Sequence, residues 1–474
     1  MVIIGGGLAG LSAAESIARN FGDHFHVTLL EAKRFFGGRA GSFRDQESGQ
    51  EIDYCQHVAM GCCTNFIGLL QRCDLMDSMD RFDKLQFLHP SHPPSEFAPS
   101  PWLPAPLHLA GAIGTLRYLS SAQKAQVRRA LWRLMRTHSD ALADQRALSW
   151  LQQQNQDPET IRDFWDVILI SALGEETSLV SMKAARKVLM DGFAAARGAS
   201  DVLVPRLPLR ELFGVHLVRA IQQLAVDVRT GVSVQRVGES SGHDGSGDGC
   251  RFVETKQGDQ YAADHVVVAV PWHSIGSVLS GADVEVNFPD LPKYAAIPAS
   301  PISGIHLWFD RQITNQPHAV MVGTISQWLF QRSEFNLAGD SSGEHYFQVV
   351  ISGSREARAI PQEQLVERVL KDLRAVFPEA RNAVLLRSRI VSDPTSVFSI
   401  GPEVEAIRPP AHTALPWLHL AGDWIQTGWP ATMEGAVISG SMSANSIARQ
   451  EGLSLLSIDS GLRPGWLARW MIRN

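Results

Sequence analysis

Val2-Ile3-Ile4-Gly5-Gly6-Gly7-Leu8-Ala9-Gly10 opens the chain, and Thr28-Leu29-Leu30-Glu31 follows it. An apolar run, three spaced glycines and a helical pattern (Leu11, Ala14, Ile17 and Ala18 sharing one face) predict a strand over residues 2–4 and a helix over 8–20. A second strand is predicted over 26–30, with Glu31 at its end, at about the 20-residue spacing of a dinucleotide-binding βαβ unit. Each position has a physical reason. Gly5 permits the tight turn, Gly7 lets backbone approach a pyrophosphate, and Gly10 lets helix and strand pack closely. The helix N-terminus offers free N–H groups to phosphate. Glu31 suits the adenosine ribose hydroxyls and repels a 2′-phosphate.

Outward from that unit, 474 residues supply material for two or three domains. Hydrophobic residues make up 45% and charged residues 19%, as in an ordinary folded protein. A net charge of −6 without a basic stripe argues against nucleic acid as a partner. Cys55, Cys62, Cys63, Cys73 and Cys250 form no CxxC motif and no metal-ligand spacing, so reduced, packed thiols and no metal are expected. Met1–Ile4 lacks a basic n-region and reads as a strand rather than a signal peptide. Runs of about 20 apolar residues are missing, so a spanning helix is not expected. Two segments could lie on a membrane surface: Trp102–Leu119, and Leu462–Ile472 with its Trp466, Trp470, Arg463 and Arg469.

The organisation is discontinuous. Residues 1–75, 206–275 and 412–450 are expected to form the dinucleotide-binding domain in three parts. Residues 76–205 are predicted largely helical and membrane-facing, 276–411 a substrate domain of sheet and helix, and 451–474 a tail. Within them, a helix over 122–138 buries Val127, Leu131, Leu134 and Met135. Strands are read at 265–270, 305–309 and 346–351, and an amphipathic helix at 362–377. The run Gly238–Gly249 reads as a hairpin tip. The block 418–448 reads as strand, glycine turn, helix.

After Glu31 comes Phe36-Gly37-Gly38-Arg39-Ala40-Gly41-Ser42. Near the C-terminus, Leu418-His419-Leu420-Ala421-Gly422-Asp423 leads to Met433-Glu434-Gly435-Ala436. In order and spacing these resemble the flavin-containing amine oxidase and phytoene desaturase superfamily. The resemblance implies an α/β fold: a Rossmann-type FAD-binding domain of the glutathione-reductase type, interleaved with a mixed-sheet and helical substrate domain. It implies FAD as cofactor. Arg39, with Gly38 beside it, falls by the pyrophosphate and flavin. Gly422-Asp423 falls at the pyrophosphate–ribityl region, and the Val234 backbone at the adenine. A helix starting near Met433 and Glu434 would aim free N–H groups at the flavin N1–C2 edge, favouring the anionic reduced form. A second strand–glycine–helix fingerprint is missing, so an external electron donor is expected.

More narrowly, residues 2–450 resemble the squalene-associated FAD-dependent desaturases, or hydroxysqualene dehydroxylases. The most specific stretches are Trp102–Leu109, Pro301–Asp310 and Asp423–Ala436. The resemblance implies reductive dehydroxylation of hydroxysqualene to squalene and a long-chain isoprenoid substrate; with neither signal peptide nor spanning helix expected, a cytoplasmic location, peripheral on the inner face of the cell membrane, is expected. The family's Asp-Asn-Gly-Gln-His stands here as Asp53-Tyr54-Cys55-Gln56-His57, and Gly174 stands where the family has Asn. Removing an allylic hydroxyl needs a proton donor, for which His57 comes first and Asp166 and Glu175 next. Trp308, Trp328, Trp424 and Trp429 are candidates to face an allylic cation. Oxidative carotenoid desaturation, amine oxidation and non-catalytic flavin-dependent lipid carriage are the alternative readings.

Overall fold

A computed structural model describes residues 1–473 except 48, 241–249, 281–286 and 332–342. Its first sheet is parallel throughout, in the spatial order Asp227–Thr230, Thr28–Glu31, Val2–Ile4, Val266–Val268, Leu418–Leu420. Val2–Ile4 and Val266–Val268 are buried at every residue. Such continuous apolar strands are what a parallel sheet covered on both faces demands. The pieces 1–75, 206–275 and 412–450 each supply strands to it.

The helix Leu8–Phe21 lies against the helix Met433–Gln450. Their approach is set by Gly440, where a Cβ would stand 2.6 Å from the Ala13 nitrogen and 2.7 Å from the Ala9 oxygen. Ser12 Oγ donates to the Val437 carbonyl at 2.8 Å across the same contact. Gly440 thus serves the close approach of the last long helix to the first. Gly435 faces the Pro430 carbonyl instead.

The second sheet has seven strands, in the order Leu385–Phe398, Ala299–Phe309, His345–Ser352, Trp328–Gln331, His318–Met321, Leu85–His89, His92–Phe97. Strand alternation divides its residues between two faces. Ile305, Leu307, Phe347 and Val349 pack with Leu365, Val369 and Leu373 of the helix Gln362–Val376. The other face carries His306, Trp308, Gln348, Phe330 and His318.

Residues 76–205 hold the expected helix as Ser121–Arg136, started by a capping box between Ser120 and Gln123. They also hold four strands that the helical reading missed, Val202–Pro205, Met79–Phe82, Leu85–His89 and His92–Phe97. Pro93 and Pro94 are tolerated in the last because it is an edge strand. The strands Val234–Ser240 and Cys250–Thr255 pair antiparallel as a hairpin, whose tip at 241–249 lies outside the described residues.

Filling the helix contact tests this packing. Gly440→Val should destabilise the protein by about 1–3 kcal/mol through overpacking against backbone, read as a lowered urea midpoint.

Candidate flavin site and the sheet face above it

The glycine turn is built by backbone contact. Gly5 adopts φ +108°, and a Cβ there would lie 2.6 Å from the Ala269 oxygen. A Cβ on Gly10 would lie 1.9 Å from the Gly5 oxygen. Gly38, at φ +63°, seats its Cα face against Gly7, whose own Cβ position has nothing nearer than the Gly38 Cα at 3.8 Å. Gly7 thus borders open space at the helix N-terminus, the place a pyrophosphate needs. The Glu31 carboxylate accepts from Gly6 N–H at 2.6 Å and Lys33 N–H at 2.8 Å. Those two bonds orient it and leave further lone-pair sites for ribose hydroxyls. Val232 N–H donates to the Glu31 carbonyl at 2.9 Å, bringing the start of the Val234–Ser240 strand beside the ribose end.

The C-terminal motif closes on the same turn. Asp423 is buried and accepts from Arg39 Nη2 at 2.5 Å. Arg39 Nη1 also donates to the Ser396 carbonyl at 3.0 Å, and its guanidinium lies 5.5 Å from the Trp272 ring centre. Gly422, at φ +147°, could not carry a Cβ, which would fall 2.4 Å from Trp424 Nε1. Thr432 caps the helix Met433–Gln450 by accepting from Gly435 N–H at 3.0 Å. The N–H groups of Met433 and Glu434 precede any intrahelical bond and remain the helix's donors. The Glu434 carboxylate points elsewhere. It accepts from Asn65 N–H at 3.1 Å and Phe66 N–H at 2.7 Å, tying down the start of the helix Thr64–Arg72. The Glu434 side chain is thus a structural clamp, and its backbone N–H is the group left for a flavin.

The three proton-donor candidates separate. Glu175 is fully buried and held by both Arg355 guanidinium nitrogens, Nη2 donating at 2.8 Å. Burial opposes its charge, but Arg355, Ser399 and the Glu176 N–H together keep the carboxyl below its ordinary range. An ionised, paired carboxylate donates no proton, so the expectation for Glu175 is corrected. Asp166 is half-buried, and burial pushes its carboxyl above the usual range against a 2.7 Å hydrogen bond from Thr177. His57 is half-buried, and burial, helped by the Arg39 charge, draws its pKa below 6.5. Its Nδ1–H donates to the Cys55 carbonyl at 2.9 Å, so Nε2 is the nitrogen left to meet a substrate.

Both departures from the family pattern are accommodated. Cys55 has no left-handed backbone, and burial raises its thiol to about 12, leaving it unreactive. Gly174 ends the helix Val167–Leu173 at φ +68°, a cap conformation that Gly and Asn both serve.

The face of the seven-stranded sheet opposite the helix Gln362–Val376 adds groups that the motif reading missed. Arg389, His306, Gln348, Phe330 and His318 stand in register across five strands. The Tyr54 carbonyl crosses this face at Gly304, where a Cβ would come within 2.7 Å of it, so the segment leading to His57 lies on the sheet. His306 pairs Nδ1 with the Tyr346 hydroxyl at 2.7 Å. His318 is buried among Phe82, Trp328 and Phe330, with ring centres 4.6, 6.2 and 6.4 Å away. Neither of its ring nitrogens has a partner among the described residues. Period-two alternation around Trp308 and Tyr346 could have exposed this row.

The four tryptophans also separate. Trp308 is covered by the Arg387 guanidinium at 3.8 Å, and Trp429 by Lys187 at 4.6 Å. Trp424 is fully buried, with Nε1 donating to the Val270 carbonyl at 3.0 Å. Trp328 is half-buried on the same sheet face as His318, stacked on Phe330 and donating to Ser171 Oγ at 2.9 Å.

A parallel-sheet cradle closed by a distant Gly-Asp turn, under a mixed-sheet domain, defines a two-domain flavin-dependent oxidoreductase. The flavin containing amine oxidoreductase family matches residues 8–448, and the chain belongs to that family. Its cofactor is FAD, which the open Gly7 turn, Glu31 and the helix starting at Met433 fit. The chain is 27% identical to the hydroxysqualene dehydroxylase of Zymomonas mobilis, over 94% of this chain and 97% of that one. It is 25% identical to the 15-cis-phytoene desaturase of Narcissus pseudonarcissus, over 95% and 79%. Among solved structures it resembles an engineered putrescine oxidase (TM-score 0.68, 15% identity, 95% and 98% covered) and the cyclohexylamine oxidase of Brevibacterium oxydans (0.64, 18%, 95% and 99%).

Two substitutions check the assignment of carboxylates. Glu31→Ala should weaken FAD binding by about 1.5–3 kcal/mol, the loss of a charged hydrogen bond, measured by flavin-release titration. Glu175→Gln should leave FAD bound but destabilise the fold by roughly 2–3 kcal/mol, a buried-pair loss discounted for the part-exposed Arg355, seen in the urea midpoint.

Proposed function

We propose that the protein reductively removes the hydroxyl of hydroxysqualene, giving squalene, with electrons from an external donor. The observation that carries this reading is His318, an imidazole buried among aromatic rings with no hydrogen-bond partner in another of the described residues. Buried polar groups without partners are costly, so a substrate that spends time there should bring one. A hydroxyl does so, whereas a pure hydrocarbon such as phytoene does not. The same row begins with Arg389 and His306, poor company for the cationic amine of an amine oxidase. The two isoprenoid-acting relatives support a long apolar substrate, held between residues 76–205 and 276–411.

The chemistry balances simply. The carbon–oxygen bond breaks, the hydroxyl takes a proton and leaves as water, and a hydride equivalent replaces it at carbon. Reduced FAD, when bound, supplies that hydride equivalent. His57 supplies the proton through Nε2, with Nδ1 pinned to the Cys55 carbonyl so that the ring cannot turn. Arg39, Asp423, Glu31 and the Val234 backbone hold the dinucleotide, with Gly5, Gly7, Gly10, Gly38 and Gly422 giving it room. Trp328 offers a π-face to positive charge at the allylic carbon.

The direct test is anaerobic incubation of chemically reduced protein with hydroxysqualene. Squalene should form in one turnover as the flavin reoxidises. Dehydrogenation of phytoene by oxidised protein, with hydroxysqualene ignored by the reduced form, would move the protein to the desaturase class. The acid form of a histidine with a lowered pKa is lost as pH rises, so the rate should fall through a limb lying below pH 6.5. His57→Ala should remove that limb and slow turnover by roughly 10²–10⁴-fold. A surviving limb that Asp166→Asn abolishes would transfer the role to Asp166, whose raised pKa keeps its acid form above the ordinary carboxyl range. His318→Phe should lower kcat/KM for the alcohol by roughly 2–10-fold, the worth of a neutral hydrogen bond.

A further inference from the structure

Two segments far apart in sequence meet on one outer face. The short helix Trp466–Met471 turns Ala468 and Met471 inward and leaves Trp466 68% and Trp470 73% exposed, one helical turn apart on the same side. Its first residue is docked by Gly465, whose N–H donates to the Ala195 carbonyl at 2.9 Å and whose Cβ position lies 3.3 Å from the Ala105 Cβ. Ala105 belongs to the loop that carries Trp102, 89% exposed, with Leu103 and Leu107 also outward.

This display is rigidly held. Arg197 Nη2 donates to the Ser100 and Leu103 carbonyls at 2.6 and 2.7 Å, fixing the loop on either side of Trp102. At the far end of the tail, Arg473 N–H donates to the Met135 carbonyl at 2.8 Å and Arg186 donates to the Arg473 carbonyl at 2.5 Å. Arg136 reaches the Trp470 carbonyl at 3.4 Å. Exposed tryptophans thus sit among exposed Arg136, Arg463 and Arg469. Tryptophan favours the boundary between water and acyl chains, and arginine favours anionic headgroups.

We propose that this face, formed by Trp102, Leu103, Leu107, Trp466 and Trp470 with their arginine rim, docks the protein on an anionic lipid bilayer. The rim decides for that occupant over a second copy of the chain, because the same arginines would face one another across a self-complementary contact.

The experiment is flotation of the FAD-loaded full chain with vesicles of phosphatidylcholine, alone or mixed with phosphatidylglycerol. Binding should be stronger on the mixed vesicles and weaken with salt. Trp466→Ser/Trp470→Ser should lower partitioning by roughly tenfold or more, and Trp102→Ser should lower it separately, both with FAD content unchanged. For the unaltered protein, brominated lipid should quench tryptophan emission, which guards against a variant that fails to fold. Equal flotation of wild type and variants, or no quenching, overturns the proposal. So does a concentration-dependent dimer abolished by the same substitutions without vesicle binding. None of these outcomes depends on whether hydroxysqualene is the substrate.

Discussion

Backbone must touch backbone where the dinucleotide is held, and the rest of the fold is arranged around that need. The Gly5 oxygen occupies the space where Gly10 would carry a Cβ, and Gly5 in turn lies against the Ala269 carbonyl. Gly38 rests on Gly7, and Gly440 brings the last long helix onto Ala9 and Ala13. Pieces from residues 5–10, 38, 269 and 440 thus converge with almost no side chain between them. Any bulk inserted there moves the first helix away from the sheet, and with it the N–H groups on which a pyrophosphate depends.

Once those contacts are set, most buried carboxylates are committed to architecture. Glu31 braces the turn through Gly6 and Lys33 before it meets a ribose. Glu434 secures the helix beginning at Thr64. Asp53 accepts from Ser42 Oγ at 2.6 Å and Leu209 N–H at 2.8 Å, joining a small hairpin to the 206–275 segment. Glu175 with Arg355 ties the end of a helix in the 76–205 segment to the second sheet. A buried carboxylate is expensive unless it is hydrogen-bonded, and each of these accepts hydrogen bonds from the protein itself. That leaves few acidic groups free for proton transfer, and shifts attention to imidazoles.

The βαβ start was legible because each of its signals is local: apolar run, glycine spacing, helical face, terminal acid. The C-terminal strand, turn and helix were legible for the same reason. The hairpin Leu85–Phe97 was not, because a strand at a sheet edge tolerates prolines and its partner, Val320, lies far along the chain. The role of Glu434 was hidden too. A residue at a helix start beside a flavin motif invites a cofactor reading, and only the fold shows Asn65 and Phe66 waiting on its other side. Within the candidate site, the Gly-Gly-Arg and Gly-Asp runs could be found in the sequence because each is local, whereas the Arg39–Asp423 pair emerges only from the fold. His306, Gln348 and His318 could not, because they become neighbours only through the register of strands more than 10 residues apart in sequence. The capping of Trp308 by Arg387 is likewise a fact of register, where Trp308 pairs with Arg387 on the adjacent strand.

The same register bears on how an apolar site can do acid chemistry. Burial lowers the pKa of His57, so fewer molecules hold its second proton at neutral pH, but each imidazolium is a stronger acid toward a leaving hydroxyl. Charge on Arg39 works in the same direction, which couples acid strength to the arginine held by Asp423. Burial also lowers the pKa of His318, which disfavours its charged form. It can orient a hydroxyl by hydrogen bonding without adding positive charge against a developing carbocation. In the proposed reaction the aromatic wall would tolerate cationic character, His318 would orient the hydroxyl, and the pinned His57 would donate the proton.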